Sequence, residues 1–185
     1  PIQLYLNDGG VGFTSTTAGS SIGGSDNSTV SLVLGDVDND GDLDLIAANS
    51  PEVNRLYLNN GSGGFNSGAD IGSESDYTMS VVLGDVDNDG DLDLITGNLN
   101  ANNRLYLNDG SGGFPSTGTS IGSERDRTQS IILEDVDNDG DLDLLAGSDI
   151  LGDNRLYLND GTGGFPNSST AGTLIGESGN QYALD

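Results

Sequence analysis

Aspartate occupies every second position in the run Asp36-Val37-Asp38-Asn39-Asp40-Gly41-Asp42-Leu43-Asp44. Five carboxylates in nine residues repel one another unless a cation joins them, and a turn that converges them is a cage for a hard ion. In such loops positions 1, 3 and 5 supply side-chain oxygens, position 7 supplies its backbone carbonyl, and glycine at position 6 permits the sharp bend. The aspartate at position 9 closes the sphere, where an EF-hand uses a Glu at position 12. The run recurs twice, so the expected ligand sets are Asp36, Asp38, Asp40, Asp42 and Asp44; Asp85, Asp87, Asp89, Asp91 and Asp93; and Asp135, Asp137, Asp139, Asp141 and Asp143. All-oxygen ligation points to calcium over zinc, copper or iron, and a flexible, many-ligand loop suits calcium better than octahedral magnesium. The ordinary alternative is a set of Asp-Asn-Gly turns on a solvated surface. A turn, however, does not require an acid at every second position three times over.

The rest of the composition narrows the chemistry. With no His and no Cys there is no imidazole base or ligand, no thiolate site and no disulfide framework. All five basic residues are Arg, which removes Schiff-base chemistry and the lysine of a phosphate-binding loop. Paired acids can hydrolyse glycosides, yet the obvious pairs here are the cages, and a carboxylate on calcium is a poor proton donor. The chain is therefore not expected to be an enzyme. Its 30 acids give a formal charge of −25, which argues against nucleic acid as a partner. Half of those acids lie in the three loops, and three calcium ions would bring −25 to −19. Leu, Ile, Val and Phe make up a quarter of the 185 residues, enough to fold once the charge is offset. No apolar run approaches the ~18 residues of a membrane span. The chain starts at Pro1 without a charged-then-apolar leader, so any secretion signal is expected to have been removed or to lie outside it.

The elements that must position the loops are also periodic. The run Gly84 to Leu94 follows Gly35 to Leu45 at a spacing of 49 residues, and Glu134 to Leu144 follows at 50, with Glu replacing the first Gly. A second run, Leu-Tyr-Leu-Asn, is centred on Tyr5, Tyr57, Tyr106 and Tyr157 and is closed by Phe13, Phe65, Phe114 and Phe165. Ser31 to Leu34, Leu43 to Ile46 and Arg55 to Leu58 read as short strands between Gly, Asn, Asp and Ser clusters, and no segment sustains a 3.6-residue period. Asn66 to Thr78 and Pro115 to Thr128 read as surface connections. The expected fold is all-β, a tandem array of four-stranded, blade-like repeats of about 50 residues, forming part of a β-propeller or an open stack. The units run approximately over 1–30 (partial), 31–80, 81–130 and 131–180, and 181–185 begins a further one. Asp185 falls at the first position of an incomplete fourth loop.

Recurrence also decides lesser features. Arg55, Arg104 and Arg155 share one position and are expected to pair with acids of their own unit rather than to clamp an acidic ligand. The repeated Tyr is expected to pack between sheets rather than to stack on a sugar. Asn27, Asn60 and Asn167 each begin an Asn-x-Ser/Thr acceptor pattern and are candidate glycosylation sites.

Together, the Asp-x-Asp-x-Asp-Gly-Asp-x-Asp loop, the following Leu94, Gly97 and Asn98, the Asn-Arg-Leu-Tyr-Leu-Asn strand and the Gly-Gly-Phe step resemble FG-GAP/VCBS-type repeats. Such repeats are the calcium-bearing blades of integrin α-chain propellers and of many secreted bacterial proteins. The resemblance implies a β-propeller blade with calcium in a hairpin loop, used in extracellular adhesion or as a non-catalytic module. Propellers of that family usually close with about seven blades, so ring segment and open stack both stand. The expected function is that of a secreted calcium-binding protein, extracellular or on the cell surface, with a structural or adhesive role. The alternative is a carbohydrate-binding or non-catalytic module of a secreted polysaccharide-degrading enzyme. Expected partners are calcium, neighbouring repeats or protomers packed end to end, and glycans or an extracellular protein ligand.

Overall fold

A computed structural model describes residues 2–6, 20–23, 28–123, 125, 127–149, 152–165 and 172–175. Within them every regular element is a strand. Strands β1 (Ile2–Leu4) and β2 (Ser20–Ile22) form a two-stranded ribbon. Three four-stranded antiparallel meanders follow. The first is β3 (Thr29–Gly35), β4 (Asp44–Asn49), β5 (Asn54–Tyr57) and β6 (Ala69–Ile71). The second is β7 (Tyr77–Gly84), β8 (Asp93–Leu99), β9 (Asn103–Tyr106) and β10 (Thr119–Ile121). The third is β11 (Thr128–Glu134), β12 (Asp143–Ser148), β13 (Arg155–Tyr157) and β14 (Thr173–Leu174). Among the described residues strand pairing stays within each sheet, apart from an isolated bridge between Leu99 and Arg127 just before β11, and the sheets follow one another as successive blades that are not closed into a ring.

The second strand of each unit explains the stacking. Residues Asp44 to Asn49 of β4 are buried throughout, as expected for a strand covered on both faces. Alternation then divides its side chains between two neighbours. Leu45 and Ala47, with Tyr57, pack back against Ile2, Leu4 and Ile22 of the ribbon. Ile46 and Ala48, with Leu56 and Ile71, pack forward against Val81, Leu94 and Tyr106 of the second sheet. The next interface repeats this, with Ile95, Leu105 and Ile121 meeting Ile131, Leu144, Ala146 and Tyr157. Tyr57, Tyr106 and Tyr157 are thus buried rivets between sheets, the packing role that recurrence suggested, whereas Tyr5 of the first run is exposed.

Two expected connections contain strands. Ala69–Ile71 and Thr119–Ile121 form the outer edges of their sheets, and Tyr77 and Thr78 already belong to β7. An outer strand packs on one face only, so a single buried apolar residue, Ile71 or Ile121, suffices, and the alternation is too short to read.

Consecutive sheets approach closely at the glycine that ends the first strand. A Cβ on Gly35 would lie 2.6 Å from Leu83 Cδ1, and one on Gly84 would lie 2.7 Å from Leu133 Cδ1 and 3.0 Å from Leu142 Cδ1. The third unit has Glu134 at this position, exposed, and among the described residues no sheet covers it. Gly84→Val should therefore lower stability by about 2 kcal/mol through overpacking. In a thermal melt this would read as a fall of roughly 4–8 °C, whereas Glu134→Val should change the melt little.

Candidate metal centre

Each acidic loop joins the first two strands of its sheet, closed by the pairs Gly35↔Asp44, Gly84↔Asp93 and Glu134↔Asp143. The chain reverses there because Asn39, Asn88 and Asn138 hold φ near +60° and Gly41, Gly90 and Gly140 hold φ of 92°, 96° and 100°. Asparagine tolerates the left-handed region and glycine enters it freely, which accounts for Asn at position 4 and Gly at position 6.

The carboxylates shape the loop from within. Asp36 accepts the N–H groups of Asp40 (3.1 Å) and Gly41 (3.0 Å), and Asp40 accepts the N–H of Asp42 (2.9 Å). The same pattern recurs at Asp85 with Asp89 and Gly90, and at Asp135 with Asp139 and Gly140. The ninth-position carboxylates are buried. Asp44 accepts the N–H groups of Val37 (3.1 Å) and Asn59 (2.8 Å), Asp93 those of Val86 (3.1 Å) and Asn108 (2.9 Å), and Asp143 those of Val136 (3.1 Å) and Asn159 (2.9 Å).

Carboxylate oxygens converge in all three loops. Asp36, Asp38 and Asp40, then Asp85, Asp87 and Asp93, then Asp135, Asp137 and Asp143 each bring one oxygen within 4.8 Å of the others. These triads could hold metal ions. Asp42, Asp44, Asp89, Asp91, Asp139 and Asp141 lie outside them. The seventh-position side chains have other neighbours: Asp42 lies against the Gly61 turn, and Asp91 and Asp141 accept bonds from Asn39 (2.8 Å) and Asn88 (2.9 Å) of the preceding loops.

The third-position aspartates show that the donor set fits a cation. Asp38 Oδ1 and Asp87 Oδ1 are buried without a hydrogen-bond partner. A buried carboxylate oxygen without a donor is costly, and a hard cation among converging oxygens supplies what it lacks. Burial, followed by the neighbouring aspartates, raises the pKa of Asp38, Asp87 and Asp137 above the usual carboxylate range. Burial pushes Asp93 up to about 6 against the lowering effect of its two backbone hydrogen bonds.

Those shifts set a pH dependence for the metal-free chain. Between about pH 4, near the ordinary aspartate value, and about pH 6, the folded chain holds a proton on Asp93 that the unfolded chain has lost. Stability therefore falls as pH rises through that window. Glu74, Asp109 and Asp160 are shifted downward and act oppositely, losing their contribution only below about pH 4.5. Metal-free protein should thus melt at a higher temperature at pH 5 than at pH 7.5. With cation bound the order should invert, because protons and cation compete for the same oxygens.

The remaining candidates are placed as follows. Arg55 pairs with Asp70 (2.7 Å) and Arg155 with Asp153 (3.6 Å) within their own units, as expected, whereas Arg104 pairs with Asp76 (2.6 Å) and Glu74 (3.5 Å) of the connection from the preceding unit. Asn60 is exposed in the turn after β5, its Oδ1 accepting from Ser62 and Gly64. Asn27, Asn167 and Asp185 lie outside the described residues. The links from Asn39 and Asn88, and those that Asn108 and Asn159 make to the preceding loop, escape a reading of the sequence. The only signal for the latter is the invariable Asn after each Leu-Tyr-Leu.

No curated protein matches the chain. The FG-GAP-like repeat matches residues 1–47, 36–96, 85–146 and 135–185, each later match beginning at the first aspartate of a loop. With four tandem matches spanning its length, the chain belongs to the FG-GAP-like repeat family.

Proposed function

We propose that this is a secreted, calcium-stabilised repeat protein with a structural or adhesive role on a cell surface or in an extracellular fibre. The observation that carries the reading is the unpartnered, buried oxygen on Asp38 and again on Asp87, each inside a converging triad. Calcium, when bound, supplies positive charge and oxygen coordination where the chain supplies excess negative charge. Asp36, Asp38 and Asp40, Asp85, Asp87 and Asp93, and Asp135, Asp137 and Asp143 would hold it, with Asp44, Asp89 and Asp139 and the backbone carbonyls of Asp42, Asp91 and Asp141 available to complete the spheres. The role is non-catalytic, since the loop acids are committed to the cation. Neighbouring repeats or protomers packing end to end are the natural partners, because each sheet presents both faces for burial. No helix among the described residues is long and apolar enough to cross a membrane.

A carbohydrate-binding module is the second reading. A cleft of about 330 Å³ lined by Asp76, Asn100, Asn102, Arg104, Ser120 and Arg125 supplies polar groups for it. No aromatic platform lines that cleft, which favours the structural reading. Limited proteolysis tests the first reading: in millimolar calcium the chain should resist trypsin and chymotrypsin for hours, and in chelator it should be cut within minutes at the Arg and Tyr sites of the strands. Equal resistance in both buffers would sink it. Saturable binding on a glycan array would favour the carbohydrate module instead.

A further inference from the structure

The three loops are not independent. Asp44 Oδ2 accepts the Val37 N–H (3.1 Å), the Val37 carbonyl accepts Asn108 Nδ2 (2.8 Å), and the Asn108 N–H donates to Asp93 Oδ1 (2.9 Å). The path continues in the same way. Asp93 Oδ2 accepts the Val86 N–H (3.1 Å), the Val86 carbonyl accepts Asn159 Nδ2 (2.7 Å), and the Asn159 N–H donates to Asp143 Oδ1 (2.9 Å). One unbroken sequence of hydrogen bonds and peptide planes therefore joins the ninth-position carboxylates of all three loops. Every side chain on it is buried. A second, exposed path runs outside it, where Asn39 Nδ2 donates to Asp91 Oδ1 (2.8 Å) and Asn88 Nδ2 to Asp141 Oδ1 (2.9 Å).

A buried network leaves no water to replace a lost partner, so ordering one end fixes the other. A cation that orders the second loop fixes Asp93, hence the Asn108 backbone, hence the amide holding Val37 in the first loop. The first loop then loses less conformational freedom when its own cation arrives. One effect opposes this: a bound dication weakens the negative potential at its neighbour, over a range that salt limits to about 8 Å.

From this geometry we infer that the bridging asparagines, Asn108 and Asn159 inside and Asn39 and Asn88 outside, are positioning residues that couple the loops, so that calcium in one raises the affinity of the next. The inference rests on the calcium reading above. Coupling of this kind is reciprocal and here should reach about fivefold between adjacent loops. It is read by a double-mutant cycle on the full chain, titrated with calcium in a calorimeter.

Asp137→Asn, which weakens the third loop, should lower the affinity of the remaining loops about fivefold in the native chain. In an Asn159→Ala background that fivefold loss should vanish, leaving only the smaller electrostatic change common to both backgrounds. Should Asn159→Ala fail to fold, Asn39→Gly with Asn88→Gly replaces it, at exposed positions whose φ of 59° and 60° glycine accepts. That pair should reduce the coupling about twofold. An Asp137→Asn effect that is the same with and without the bridging side chains overturns the inference and leaves the calcium reading intact. An absence of any calcium binding defeats both.

Discussion

Adding calcium to chelator-treated protein should raise its melting temperature by about 20 °C. A ligand that binds only the folded state stabilises it by about 2.7 kcal/mol per site at a hundredfold excess over its dissociation constant, so three sites contribute about 8 kcal/mol. For a chain of 185 residues each kcal/mol is worth roughly 2–4 °C. The effect is large because the empty loops are unfavourable in themselves. Each sets five carboxylates within nine residues, and in two of them a buried oxygen lacks any donor. Magnesium should give a much smaller rise, since it sheds its waters reluctantly and demands octahedral geometry. Equal rises with both ions would show a screening effect rather than a site.

The second large effect belongs to Asp93, the most strongly shifted ligand candidate. Asp93→Asn should destabilise the calcium-loaded protein by about 3 kcal/mol, chiefly the loss of one site's roughly 2.7 kcal/mol. In chelator at pH 7.5 the same variant should stay within about 1 kcal/mol of the native chain. There the native carboxylate is ionised against a pKa near 6, a penalty of about 3 kcal/mol that Asn removes. Relief of that penalty offsets the amide that Asn turns toward the N–H of Val86 or Asn108. Paired melts with and without calcium check this, and a variant equally destabilised in both would mean that Asp93 serves only as a backbone acceptor.

What the sequence made legible follows from distance along the chain. The loop is local: its acids, its Asn in the left-handed region and its Gly lie within nine residues, so chemistry and turn can both be read from spacing. The period of 49 and 50 residues and the central strands are equally legible, because Asp-Leu-Ile-Ala-Ala and Asp-Leu-Ile-Thr-Gly are too apolar for a strand with one wet face. Contacts between units were not legible. Asn108 reaches Val37 across 71 residues and Asn39 reaches Asp91 across 52, and nothing local separates these asparagines from ordinary turn formers. The outer strands Ala69–Ile71 and Thr119–Ile121 were hidden for the opposite reason, being too short to show alternation among Ser, Gly and Thr. The side chain of the seventh aspartate is a further case. Spacing alone does not show that Asp91 and Asp141 turn toward the preceding loop.

The central claim, that the three loops are calcium sites, is tested most directly by counting bound ions. Equilibrium dialysis against calcium followed by elemental analysis should give three ions per chain, falling by one with each of Asp38→Asn, Asp87→Asn and Asp137→Asn. A native chain that retains no calcium at millimolar concentration, or whose bound calcium is unaffected by those three substitutions, would contradict it.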